Sequence, residues 1–298
     1  MTKELVSALL AALLLLTPLV GCGGGENTVT VASKQFTESI LLGEIYAQLI
    51  EAKTDLTVER KLNLGGTSVC MPAMQSGEID IYFEYTGTAY NEILNQELLP
   101  GMTAEEILDA ARTGLAEQED ITMFDPLGLN NTFALAMKTD RMEELGVESI
   151  SDLAPISSTL TFGANHVFYT RVRDGYDGLV STYGLEFREA LRMDSSLLYE
   201  AADAGELDVI IVYATVALLR RYDMTCLVDD QALFPPYEGA PVCRNEVPEA
   251  HPELSEVLNT LAGAVDDTAI QELNYQVDVE QRAVEDVARE FLTENGYI

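Results

Sequence analysis

Basic residues are scarce in this 298-residue chain, where 17 Lys and Arg stand against 50 Asp and Glu and leave a formal net charge of −33. That balance excludes a nucleic-acid partner, because binding a phosphate backbone draws on an excess of cations that release its counterions. Histidine is scarcer still. His166 and His251 lie far apart with no ligand-type residues at metal spacing beside them, so no metal site is expected and each reads as a surface or hydrogen-bonding residue. The common catalytic signatures are missing as well: there is no Gly-x-Ser-x-Gly, no phosphate loop ending in Gly-Lys-Ser/Thr and no His-Glu-x-x-His. Carboxylates are so plentiful that no pair stands out as general acid and base. The chain reads as a non-enzyme, with no catalytic residues and no cofactor.

Long apolar runs are limited to one near the N-terminus, residues 5–20, interrupted by Pro18 and followed by Gly21-Cys22. It is shorter than the roughly 20 residues of a spanning helix and ends on a small residue, so residues 1–21 read as a signal peptide. Leu19-Val20-Gly21-Cys22 resembles the bacterial lipobox, which implies cleavage before Cys22 and lipidation of that cysteine. Two or more acyl chains would hold the protein stably on the outer face of the cytoplasmic membrane. The other reading is an ordinary secreted protein with a chance cysteine. Residues 22–27, with Gly23-Gly-Gly25, then form a flexible tether.

Cysteine is also sparse. Beyond Cys22 there remain Cys70, Cys226 and Cys243, an odd number that leaves at least one thiol unpaired. Cys226 and Cys243 each sit in a short apolar segment, and pairing of those segments as neighbouring strands would join them in a disulfide. The alternative leaves both free. Cys70 reads as a small buried hydrophobe on a helix.

With 47% hydrophobic and 22% charged residues, the chain has enough apolar material for a core. Short β-rich runs alternate with amphipathic segments: strands at residues 29–32, 56–62 and 79–83, and helices at residues 37–52, with Leu41, Ile45 and Leu49 on one face, and from Gly65-Gly66 to Gly77. Such alternation predicts parallel sheets with crossover helices. A nine-residue echo joins the two halves. Gly77-Glu-Ile-Asp-Ile-Tyr-Phe-Glu-Tyr85 and Gly205-Glu-Leu-Asp-Val-Ile-Ile-Val-Tyr213 share Gly, Glu, an aliphatic residue, Asp and a final Tyr in register. Each Tyr therefore falls at the carboxyl end of a strand, the edge where open α/β sheets bind ligands. From Pro252 onward the chain is helical, with apolar stripes that pack on a sheet already made.

Several motifs together carry a resemblance. Val31-Ala-Ser-Lys34-Gln-Phe-Thr37-Glu38, Asn63-Leu-Gly-Gly-Thr67, Glu84-Tyr85-Thr86-Gly87-Thr88, Phe168-Tyr-Thr-Arg171, Val212-Tyr213 and Phe234-Pro-Pro-Tyr237 are similar to those of osmoprotectant (glycine betaine/carnitine/choline) ABC-transporter substrate-binding proteins. The resemblance runs from about residue 28 to the C-terminus. It implies a type II periplasmic-binding-protein-like α/β fold with a ligand cleft between two lobes. It also implies an aromatic cage of Tyr85, Phe133, Tyr213 and Tyr237 for a quaternary ammonium. Lys34, Thr88 and Arg171 would anchor the ligand's carboxylate, and the Asn131 backbone carbonyl would face the methyl groups. A trimethylammonium has no N–H to donate, so aromatic faces are what can attract it. The carboxylate takes charge-assisted bonds instead.

On this reading residues 28–130 and 238–298 form one lobe, residues 131–237 the other, and the chain crosses near residues 127–131 and 234–237. The implied partners are a small zwitterionic or quaternary-ammonium ligand, a transporter permease with its ATPase, and the membrane through the lipid anchor; the receptor itself is expected to be a monomer. Two departures from the family pattern bear on ligand identity: Phe133 stands where the family usually has Tyr, and Ala214-Thr215-Val216 where it often has Thr-Thr-Asp. The alternatives are a receptor for another small zwitterion or amino acid, and a lipoprotein enzyme or surface interaction module. A zwitterion has no use for the acidity, which reads as solubility and low self-association.

Overall fold

The computed structural model describes residues 27–99 and 101–298. The signal peptide, Cys22 and most of the tether lie outside the described residues. Among the described residues no helix is long and apolar enough to cross a membrane.

Among the described residues, ten strands make two five-stranded sheets. The first contains β1 (Thr28–Lys34), β2 (Thr57–Gly65), β3 (Ile81–Tyr85), β4 (Ile121–Met123) and β10 (Gly239–Arg244), in the order β2-β1-β3-β10-β4. The second contains β5 (Phe133–Lys138), β6 (Thr161–Ala164), β7 (Glu189–Arg192), β8 (Val209–Tyr213) and β9 (Met224–Cys226), in the order β7-β6-β8-β5-β9. Position for position the two orders correspond. The expectation of parallel sheets holds for only part of each: β1 pairs parallel with β2 and β3, and β6 with β7 and β8, but β10 and β5 run antiparallel to both of their neighbours. The reason is topological. Each antiparallel strand is the first one laid down after the chain has crossed from the other sheet, so it enters from the crossover end, where β3 and β8 leave.

The echo is a structural duplication. Gly77 and Gly205 have φ of 75° and 74°, a left-handed conformation that terminates the preceding helix and that glycine adopts without a Cβ penalty. Asp80 then accepts from the Thr30 backbone N–H at 2.7 Å, and Asp208 from the Thr161 N–H at 2.8 Å. In both halves the Asp backbone N–H donates back to the same residue's carbonyl, at 2.9 Å. The shared spacing thus pins the third strand of each unit to the first. It leaves Tyr85 and Tyr213 as the last residues of β3 and β8.

The helix Thr37–Lys53 is buried on nearly every side, not on one stripe, because it lies between β1 and the C-terminal helices Glu253–Asn259, Asp267–Asp278 and Val284–Glu294. The two crossovers run side by side. Asn130 and Glu238 form an antiparallel bridge, the Asn131 N–H donates to the Tyr237 carbonyl at 3.0 Å, and the Tyr237 N–H donates to Asn130 Oδ1 at 2.7 Å. Beyond the crossovers, the Asp267–Asp278 helix reaches the second sheet's half through Gln271 Nε2 to the Ala214 carbonyl at 2.6 Å.

The cysteines correct the disulfide expectation. Cys70, Cys226 and Cys243 are all free. Cys226 ends β9 in the second sheet and Cys243 lies within β10 of the first, so the segments that looked like neighbouring strands belong to different sheets. Cys70 is buried in the helix Thr67–Gln75, as its surroundings in sequence suggested.

Candidate functional site

A cleft of about 830 Å³ opens between the sheets, and all eight residues singled out from the sequence, Lys34 through Tyr237, line it. Sheet ends and crossovers bring them together. Lys34 ends β1, Tyr85 ends β3, Thr88 closes the helical turn Thr86–Thr88, and Phe133 and Tyr213 face each other across the β5–β8 ladder. Asn131 and Tyr237 come from the two crossovers, and Arg171 follows the helix His166–Thr170. Gly87 is needed where it stands, since a Cβ there would lie 2.7 Å from the Tyr237 ring and 2.8 Å from the Pro236 carbonyl.

The aromatic residues are held at different depths. The Phe133 ring stacks on Tyr213 with centroids 4.6 Å apart, and Tyr213, 46% exposed, lines the cleft. Tyr85 is buried, stacked with Phe36 at 6.3 Å and edge-on to Phe83 at 5.7 Å. Arg171 stands among the remaining rings: its guanidinium carbon is 5.0 Å from the Phe133 centroid, and its charge works against the burial that raises the Tyr213 and Tyr237 hydroxyl pKa values.

Neither cation is unpaired. Lys34 Nζ donates to Glu84 Oε1 deep in the floor, both side chains being almost fully buried, and stands 5.0 Å from the Tyr85 ring centroid. Glu84 is further satisfied by Thr67 and Tyr82 hydroxyls, each at 3.0 Å, and by the Tyr85 N–H at 2.7 Å. Arg171 makes a two-pronged pair with Asp174, Nε to Oδ1 at 2.9 Å and Nη2 to Oδ2. A guanidinium has five donors, so Arg171 retains N–H groups for an incoming anion. Lys34 is likewise charge-balanced, by Glu84, and its ammonium uses one of three donors in that pair.

The sequence reading passed over Glu38, Thr215 and Asn274. Glu38 is buried in the first turn of the Thr37–Lys53 helix. It accepts from the Tyr85 hydroxyl and from Asn131 Nδ2 at 3.1 Å on Oε1, and from Asn274 Nδ2 at 3.2 Å on Oε2. Asn274 Nδ2 also donates to the Thr215 carbonyl at 3.0 Å. Burial pushes the Glu38 carboxyl up, and the hydrogen bonds it accepts oppose that. A signal was available: Glu38 belongs to the Lys34–Glu38 motif, and it is a carboxylate in the first turn of a helix that carries the apolar run Ile40-Leu41-Leu42 shortly after it.

A family model described as the substrate binding domain of an ABC-type glycine betaine transport system matches residues 27–294. The chain belongs to this family. It is 33% identical over 281 residues to the carnitine transport binding protein OpuCC of Listeria monocytogenes, across 94% of this chain and 91% of that one. It is 32% identical over 272 residues to an ergothioneine transport permease/ergothioneine binding protein, EgtU, of Helicobacter pylori, across 91% of this chain and 48% of that longer protein. A solved structure described as a glycine betaine/carnitine/choline ABC transporter superposes with a TM-score of 0.86 at 30% identity, across 90% of this chain and 99% of that one. The two-lobed fold with its cleft is that of the type II binding proteins, and the family is one of transport substrate-binding proteins.

Proposed function

We propose that the chain captures a quaternary-ammonium compatible solute, a betaine or carnitine-type zwitterion, for an ABC importer that serves osmoprotection. The observation that carries this reading is the convergence of Tyr85, Phe133, Tyr213 and Tyr237 on one cleft with Arg171 among them. Aromatic faces attract a methylated ammonium by about 2 kcal/mol per desolvated contact. Arg171 and the Thr88 hydroxyl supply donors for the carboxylate, and the Asn131 carbonyl faces the methyl groups. Lys34, balanced by Glu84, keeps ammonium donors for the same ligand carboxylate. Because the rings come from both sides of the crossovers, a bound ligand stabilises the closed arrangement, which the permease then recognises. The lipid anchor at Cys22 keeps the receptor beside that permease, as a monomer.

A volume of about 830 Å³ favours ligands larger than glycine betaine as well, since pockets of roughly 300–1,000 Å³ hold drug-sized molecules. Carnitine and a betaine with a ring substituent are therefore candidates beside the smallest member. A calorimetric panel of glycine betaine, proline betaine, carnitine, choline, ergothioneine and unmethylated amino acids tests the reading. Saturable binding of one or more methylated ammonium compounds is expected; binding of primary amines alone would overturn it.

A further inference from the structure

Among the described residues three carboxylates lie buried in or just behind the cleft wall, and two are matched: Glu84 by Lys34 and Asp174 by Arg171. Glu38 is different. Among the described residues it has no ion-pair partner, and its hydrogen-bond donors Tyr85, Asn131 and Asn274 are neutral groups from β3, the first crossover and the C-terminal helices. A buried carboxylate without a cation is costly in a low-dielectric site unless something supplies the missing charge. The first-turn position on a 17-residue helix offsets part of that cost through the helix dipole.

Resting on the betaine reading above, we propose that Glu38 is the counter-charge to the ligand's quaternary ammonium, exerted through Tyr85. The Tyr85 hydroxyl donates to Glu38 while its ring lines the cleft, so the carboxylate's charge reaches the ligand along one side chain. A phenol that donates to a carboxylate gains electron density at its oxygen and passes it into the ring face, which strengthens that face's attraction for a cation. Glu38 is thus a positioning residue, holding the ring and setting its electrostatics without needing to touch the ligand.

The consequence is a linked proton. The charged groups facing Glu38 from the elements around it are Lys34 and Glu84, already paired with each other, Asp278 on the C-terminal helix, which accepts from the Thr37 hydroxyl, and Arg171 and Arg221 across the cleft. None of them supplies Glu38 with a contact cation. Because burial raises its pKa, part of the population carries a proton above the ordinary glutamate range. A bound ammonium favours the ionised form and lowers that pKa, so binding releases a proton. Affinity therefore rises with pH through the titration of Glu38 in the free protein and levels off above it.

The test is calorimetry on the full-length chain with glycine betaine and carnitine from about pH 5 upward, in buffers of different ionisation enthalpy, since a one-unit pKa change on binding corresponds to about tenfold in affinity. The wild type should gain about tenfold in affinity across the titration, with net proton release. Glu38→Gln, which can still accept the Tyr85 hydroxyl, should bind weakly with a flat profile. Tyr85→Phe, which keeps the carboxylate and breaks the link, should also lose most of the pH dependence, and it serves if the Gln variant does not fold. A flat wild-type profile, or variants that keep the wild-type profile, would overturn the proposal while leaving betaine binding intact. No heat from any methylated ammonium at any pH would instead remove the betaine reading itself.

Discussion

Phe133 lies stacked on Tyr213, the ring planes inclined by 23°, with the Arg171 guanidinium over the Phe133 ring. The pair occurs because Phe133, first residue of β5, is in register with Tyr213, last residue of β8. Phe133 is buried by this stack and by Phe168 and Phe234, so a phenylalanine fills the position without a hydroxyl to satisfy. Replacing Tyr213 by Ala should weaken binding of a betaine by about 2 kcal/mol, roughly thirtyfold. The melting temperature of the free protein should move little, because that side chain is half-exposed. Isothermal calorimetry and thermal melts on the same variant check both halves; undiminished affinity would remove Tyr213 from the cage.

Arg171 divides ligand classes. Arg171→Ala should lower affinity for carboxylate-bearing betaines more than for choline, since choline offers no anion to the guanidinium. The difference should be about 1.5–3 kcal/mol, the range for a hydrogen bond to a charged group. Equal losses for both classes would mean that Arg171 acts only by packing on Phe133.

Lys34 and Glu84 form a buried pair, and breaking it from one side strands a charge. Lys34→Met should destabilise the protein by about 3–5 kcal/mol, whereas the double replacement Lys34→Met, Glu84→Leu should recover much of the loss. Urea denaturation of the three forms measures this. If the single variant is as stable as the wild type, the pair is not the support of the cleft floor that its geometry describes.

The three described cysteines should react as separate thiols. After denaturation without reductant, Cys70, Cys226 and Cys243 should all take up an alkylating reagent. In the native protein they should react slowly, because burial pushes Cys70 up to about 11 and Cys226 up to about 12, and raises Cys243 further. Mass spectrometry of peptides decides; a Cys226–Cys243 crosslink would contradict the assignment of the two residues to different sheets.

Glu38 also shapes stability against pH. Its folded-state pKa is raised, chiefly by desolvation, so its contribution is fully present below the unfolded-state value and is lost as pH rises through the raised one. Without ligand, the wild type should therefore lose stability relative to Glu38→Gln above the ordinary glutamate range. Chemical denaturation at a series of pH values reads the difference, and a constant gap between the two proteins would count against it.

Much of this architecture was legible in the residues alone, and the legible parts share a cause. Turn chemistry and periodicity act over a few positions: Gly77 and Gly205 end helices, Asp80 and Asp208 follow at a fixed spacing, and Tyr85 and Tyr213 come to the strand ends whatever the rest of the chain does. Of the eight cleft residues, the echo placed Tyr85 and Tyr213 at strand ends, while Lys34, Thr88, Asn131, Phe133, Arg171 and Tyr237 could be named only from the resemblance of their motifs. What only the tertiary structure decided is which charged and polar groups meet. Lys34 finds Glu84 across 50 residues, Tyr85 finds Glu38 across 47, and Asn274 reaches back 236 residues to the same carboxylate. Sheet order brings those partners together, and it separates Cys226 from Cys243 although only a short stretch of chain lies between them. A cation or thiol reads the same in sequence whether it is free or paired, because its pairing depends on neighbours that the fold supplies from distant parts of the chain.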